Sequence, residues 1–563
     1  MTPSANHCKG IIMLRSIGSV TFLALFMVGC GGGASSPPPP ATFTVGGTVT
    51  GLSGPGLVLN SNFSGEDLAI SASGSFTFST RLPAGSTYNV GIKSQPTAQG
   101  CQVANGIGTI VAANVMTVTV TCGGTSSTIH GTISGLVGSG LTFDICPIGH
   151  RGGYGGPTVP PCRSGLQVGA NGAFTLDFVY PEGYSGSVLV YISQQPSSPW
   201  QQCRISNATF SIPFANDASI TVSCTSFSYV TNAADNTLSA YSVDPTTGAL
   251  AVIGTPIAAG VSPYATAGLE FDPVYDVNRH LFVGNEGSND VSAFIVDNTT
   301  GALIAAPGSP FPAGKDPKAM AIMGYADGYN LYVANAGSDT VSAYSIDLNT
   351  GALAGFSTIA TGKGPTSIVI DANLPYAFVA NNGGSNDISA FYVGQRTDAP
   401  TPVPGSPFPA GGNPLYLALV YGGKFLYSAN PDATNPSISG FSVNPDTGVL
   451  SPLSGSPFPL PVSDGIATDL SGAYLYVTSG ANVVGYRIDA NTGALMPLAG
   501  FPVAAGANAY SITVDPTNQF LYVANDGAAN VSGFRLDAST GALTPMAGSP
   551  FPAGHHPEFI ATF

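Results

Sequence analysis

An aromatic-Val-Ala-Asn segment returns seven times in the C-terminal three-fifths of this chain. It reads "YVTN" ending at Asn232, "FVGN" at Asn285, "YVAN" at Asn335, "FVAN" at Asn381, "YSAN" at Asn430, "YVTS" at Ser479 and "YVAN" at Asn525. A period of roughly 46–53 residues held over seven copies is the signature of a repeat architecture. Each copy continues with a polar turn such as Gly287-Ser288-Asn289-Asp290, then an alternating strand such as Val291-Ser292-Ala293-Phe294. An Asp-x-x-Thr-Gly-Ala-Leu turn follows, from Asp244, Asp297, Asp347, Asp489 and Asp537, with Asn444 replacing Asp once and the repeat of Phe391 lacking the Gly. Asp caps such a turn and Gly supplies φ > 0, so this reads as the hairpin from third to fourth strand. A "GSPFPAG" loop at Gly308, Gly405 and Gly548 leads to the next copy, and its prolines bar it from a central strand. Four short strands per repeat describe a propeller blade better than a solenoid coil. The array starts on a second strand and ends on Pro557 to Phe563, which matches inner strands such as Pro365 to Asp371. The last segment therefore supplies the strand that the first blade lacks, and the ring closes without free edges. The expected fold is all-β, with a seven-bladed β-propeller over 227–563.

Composition excludes some functions. The chain has 73 Gly, 46 Pro, 44% hydrophobic residues and only 8% charged residues, with a net charge of −15. An acidic surface without a basic stripe repels phosphate backbones, so no nucleic-acid partner is expected. No cysteine follows Phe227, which removes haem attachment and thiolate chemistry from the propeller; neither cofactor nor metal is expected.

The first residues read as an export signal. Lys9 and Arg15 precede an apolar run from Ile17 to Val28, too short to span a bilayer comfortably. Phe26-Met27-Val28-Gly29-Cys30 resembles a bacterial lipobox, with Met27 where Leu is usual, and Met13 offers an alternative start. The resemblance implies cleavage after 1–29 and a membrane anchor through acylated Cys30. Gly31 lacks the Asp of an inner-membrane retention signal, which implies the outer membrane. Residues 30–42 hold Gly31 to Gly33 and Pro37 to Pro40, a flexible then stiff stalk.

Six cysteines lie between stalk and propeller. Cys101 and Cys122 are separated by the same interval as Cys203 and Cys224, because the region is duplicated. "VGGTVTGLSGPGLVL" from Val45 returns as "IHGTISGLVGSGLTF" from Ile129, and "SGSFTF" returns as "NGAFTL". Two β modules are expected, at 43–122 and 127–224, each closed by a Cys pair. Cys146 and Cys162 flank an insertion and are expected to pair with each other. Without any C-x-x-C, disulfides in an oxidising compartment are preferred over zinc. His130, His150 and Arg151 have no carboxylate partner in sequence and read as surface residues.

The "YVAN" segments, "D-x-x-T-G-A-L" turns and "GSPFPAG" loops together resemble the seven-bladed lactonase family, which includes propeller-type 6-phosphogluconolactonases. The resemblance covers 227–563. It implies lactone hydrolysis by a Pro-Arg-His stretch on an inner strand and an Asn-Glu after the next strand. Asn285-Glu286 matches the second half, and Glu286 is the only Glu that follows an anchor. Ser262-Pro263-Tyr264-Ala265 stands where Pro-Arg-His would be, so the first half is missing. Opening a lactone needs a group to activate water and donors to hold the carbonyl oxygen. The candidates are Glu286, with Lys318, His555 or His556 as cationic or imidazole partners on neighbouring inner-strand loops. Arg279 and His280 read as structural, and the repeated Asn residues as backbone-bonding. The sequence therefore reads as a degenerate, non-catalytic lactonase-like propeller that binds carbohydrate, envelope polymer or protein. The alternative is an active lactonase.

Overall fold

The computed structural model describes residues 41–562, apart from 97–99, 148–161, 181–185, 197–200, 213–218, 270–278, 460–463 and a few single or paired positions. The signal segment, Cys30, His150 and Arg151 lie outside the described residues. The described residues form β-strands and two short 3-10 turns, with no α-helix and no helix long and apolar enough to cross a membrane. The chain packs as two compact units, the first ending at Cys122 and the second at Phe563.

The duplication is visible in the strand pairing. In the first unit Val45–Thr50 lies between Gly74–Thr77, antiparallel, and a parallel segment from Val115 to Thr121. The second unit repeats this: the segment from His130 to Ser134 lies between Gly172–Tyr180, antiparallel, and Ser219–Ser223, parallel. Glycine is required at the repeated position because the central strand is crowded. A Cβ on Gly47 would sit 1.7 Å from the Val118 carbonyl oxygen, and one on Gly131 would sit 2.3 Å from the Phe174 ring. Leu141, Phe143, Val188, Val190 and Val222 fill the core of the second module. Disulfides join Cys146 to Cys162 and Cys203 to Cys224, and Cys101 to Cys122, as the spacing implied. Such bonds mark an extracytoplasmic protein.

From Ser226 the chain makes seven antiparallel blades, each built on a run of four strands, with a short fifth strand in five of them. Six carry their own inner strand, beginning at Pro263, Pro317, Pro365, Tyr416, Ile466 and Ala509. The first blade borrows its inner strand from the chain end: Pro557–Thr562 pairs with Ser226–Asn232. The Asp turns work as their chemistry demands. Asp244 Oδ1 accepts the Thr246 and Thr247 N–H groups at 2.9 and 2.8 Å, and Gly248 takes φ 73°. Asn444 accepts the equivalent pair at 3.0 and 3.1 Å.

Two contacts join the repeat signatures in ways the sequence did not reveal. Second strands are buried, and their tyrosines reach the Asp-turn glycine of the following blade. Tyr229 donates to the Gly301 carbonyl, Tyr427 to Gly493, Tyr476 to Gly541 and Tyr522 to Gly248, at 2.6–2.8 Å. The "GSPF" loop does more than cross between blades. Its serine hydroxyl accepts a third-strand N–H, as with Ser309 and Ala293 at 2.9 Å, and Phe311–Pro312 then pairs with that same strand. Proline cannot donate to a neighbour, so this second outer segment is possible only because it is an edge.

Candidate functional site

One face of the propeller collects the ends of the second strands and the starts of the inner strands. The repeated asparagines build it. Asn232, Asn285, Asn335 and Asn525 each accept, through Oδ1, the N–H of a glycine in the loop that enters an inner strand, at 3.0–3.1 Å. Their Nδ2 groups donate to serines of the third strand at 2.9–3.0 Å. Each loop is thus tied to its blade before the inner strand begins.

Inner strands then open with the same irregularity. A residue with positive φ comes first: Ser262, Asp316, Gly364, Asn508 and His556 have φ of 51–62°. Pro or Ala pairs next, and the following residue falls in a register shift, at Tyr264, Lys318, Thr366 and Tyr510. Glu558 occupies the same position in blade one, between paired Pro557 and Ile560. A bulge of this kind re-aims a side chain, and here it does so for one residue in each of these five blades.

The result is a convergence of charge. Lys318 Nζ lies 2.7 Å from Glu286 Oε2, both side chains partly buried, and 4.0 Å from the centre of the Tyr264 ring. The Tyr264 hydroxyl meets that of Tyr416 at 2.9 Å and is also hydrogen-bonded to Tyr510, joining blades two, five and seven at the axis. Burial pushes the Tyr264 and Tyr416 phenols far up, and Tyr510 up to about 12, so all three stay protonated. Glu558 adjoins this group. Burial, then the carboxylates of Asp526 and Glu286, push its carboxyl up to about 7 against the opposing pull of Lys318 and His556. Its Oε2 atom is buried and has no hydrogen-bond partner among the described residues.

The two histidines separate. His556 Nδ1 lies 2.7 Å from Asp526 Oδ1, and Asp526 is braced by Asn508 Nδ2 at 2.6 Å. His555 pairs instead with Asp235 at 3.0 Å, with 77% of its side chain exposed. Glu286, Lys318 and His556 therefore stand at one site and His555 at its outer rim. Arg279 and His280 sit at the other end of their strand: Arg279 is fully buried with its guanidinium over Phe227, and His280 Nε2 meets the Leu348 carbonyl at 2.9 Å. A separate concavity on the outer edge of blade three, lined by Pro312, Ser342, Tyr344 and Phe356, has no charged side chain among its lining residues.

Sequence reasoning passed over Glu558, Tyr264, Tyr416, Tyr510 and Asp526. A signal for three of these was present. The residue after the first one of each inner strand changes from blade to blade, through Tyr264, Lys318, Thr366, Tyr510 and Glu558, while its surroundings repeat. A position that varies inside a regular repeat is where function can be written.

Fold and site together define a seven-bladed β-propeller with an ionisable channel mouth. The family model for "Lactonase, 7-bladed beta-propeller" matches residues 278–411 and 463–556, and the chain carries a lactonase-family propeller. A presumptive 6-phosphogluconolactonase of Bacteroides uniformis is similar in fold, with 16% identity, 60% of this chain and 99% of that chain covered, and a TM-score of 0.50. The periplasmic gluconolactonase PpgL of Pseudomonas aeruginosa aligns over 60% of this chain and 99% of its own, with 16% identity and a TM-score of 0.48. None of the curated proteins matches the chain.

Proposed function

We propose that this is an exported lactonase-type protein, anchored to the outer membrane through Cys30, whose propeller hydrolyses a small hydroxylated lactone at the channel mouth. The observation behind this reading is the convergence of Glu558, Lys318 and Glu286 on one face. A general base works best with a pKa near the working pH, and Glu558 is pushed to about 7. In this reading Glu558 takes a proton from water, which attacks the lactone carbonyl carbon. Lys318, held by Glu286 and the Tyr264 ring, faces the developing oxyanion. The ring C–O bond breaks, and the leaving alkoxide recovers the proton from Glu558, giving the hydroxy acid.

A second reading, a degenerate binder of carbohydrate, envelope polymer or protein, is favoured by Pro263-Tyr264-Ala265 standing where the enzymes carry Pro-Arg-His. Assay against a panel of sugar lactones separates the two. Hydrolysis that rises as pH climbs through about 7, and is lost in Glu558→Gln and Glu286→Gln, supports the enzyme. No turnover above background by the wild type supports the binder. For the anchor, Cys30→Ala is expected to move the protein from the membrane to the soluble fraction; unchanged fractionation sinks that part.

A further inference from the structure

We infer that the channel-mouth site accepts an uncharged, hydroxyl-bearing ring and turns away the same ring once it carries a phosphate monoester. The inference rests on the small-ligand site proposed above and narrows what can occupy it.

Each of the two basic side chains at the site, Lys318 and His556, already has its own carboxylate. Lys318 is held by Glu286 at 2.7 Å and covered by the Tyr264 ring, while His556 is held by Asp526 at 2.7 Å. Glu558 is left over, with a buried oxygen that no group among the described residues satisfies. At the axis stand phenol hydroxyls, from Tyr264, Tyr416 and Tyr510. Further out, Lys315 and Lys363 stand exposed to solvent, where their charge is screened. A phosphate dianion would have to take Lys318 from Glu286 while facing Glu558 and Asp526. Like charges at close range in a partly dry site repel strongly, and such juxtaposition is how proteins reject wrong ligands. A ring hydroxyl suits the same place, because it donates to the unsatisfied Glu558 oxygen and exchanges hydrogen bonds with phenols.

The test is titration calorimetry of the purified full-length protein with a six-membered sugar lactam, a hydrolysis-stable isostere of a sugar lactone, and with its phosphate monoester. The expected result is at least tenfold tighter binding of the neutral lactam. Glu558→Gln and, separately, Asp526→Asn remove negative charge and are expected to shrink that preference several-fold. Equal or tighter binding of the phosphorylated lactam overturns the inference but leaves the proposed function standing. Binding of neither compound overturns both. A preference that both substitutions leave unchanged overturns the assignment of rejection to these carboxylates.

Discussion

The two parts of this chain hold β-structure together by opposite means. Each N-terminal module has a small core and is stapled by cysteines, whereas the propeller has no cysteine and closes by pairing its last strand with its first. Small domains bury too little apolar surface to rely on packing alone, and a covalent loop closure offsets the deficit. A ring of seven blades has seven interfaces and no unpaired inner edge, so topology does what the staple does elsewhere.

The largest effect is expected from opening the ring. Deleting Pro557 to Phe563 removes the inner strand of blade one and, with it, Glu558. Aggregation or a collapse of the propeller melting transition is expected in calorimetry, with the modules unaffected. A truncated protein with an unchanged transition would show that strand pairing at the seam is dispensable.

Unstapling is expected to be milder and local. Cys203→Ser with Cys224→Ser should cost the second module about 3 kcal/mol, the chain-entropy value for a loop of roughly 20 residues. Hydrogen exchange should rise in the segments around Val188 and Val222 and stay constant in the blades. Equal loosening of the propeller would contradict the comparison.

The smallest effect tests the seam between blades seven and one. Tyr522→Phe deletes the 2.7 Å bond to the Gly248 carbonyl while keeping the ring in its pocket. A loss of about 1–3 kcal/mol is expected in denaturant unfolding, because a buried carbonyl is left unpaired. Tyr427→Phe, far from the seam, removes the same kind of bond to Gly493. A markedly larger loss at Tyr522 would mean that the seam is the weakest interface; equal losses would mean that ring closure makes all interfaces alike.

The number of blades, the turn at each Asp-x-x-Thr-Gly, the strand that closes the ring and the cysteine pairs were all legible in the amino-acid order. Each of those features is either local, like a capped turn, or periodic, so that seven imperfect copies reinforce one another. The site was legible only in part. Glu286 and Lys318 stood out because they differ from their counterparts in other repeats, but His555 looked as suitable as His556, and Glu558 drew no notice. What separates them is the irregular opening of the first blade's inner strand. It sets Glu558 among the charges of Asp526, Lys318 and Glu286, leaves His556 beside Asp526 and His555 beside Asp235, three fates for neighbours within four residues. The tertiary ring decides the rest, because it sets Glu558 beside Lys318 and Glu286, more than two hundred residues away in sequence. Only there do burial and neighbouring carboxylates give a glutamate a pKa that its place in the chain does not reveal.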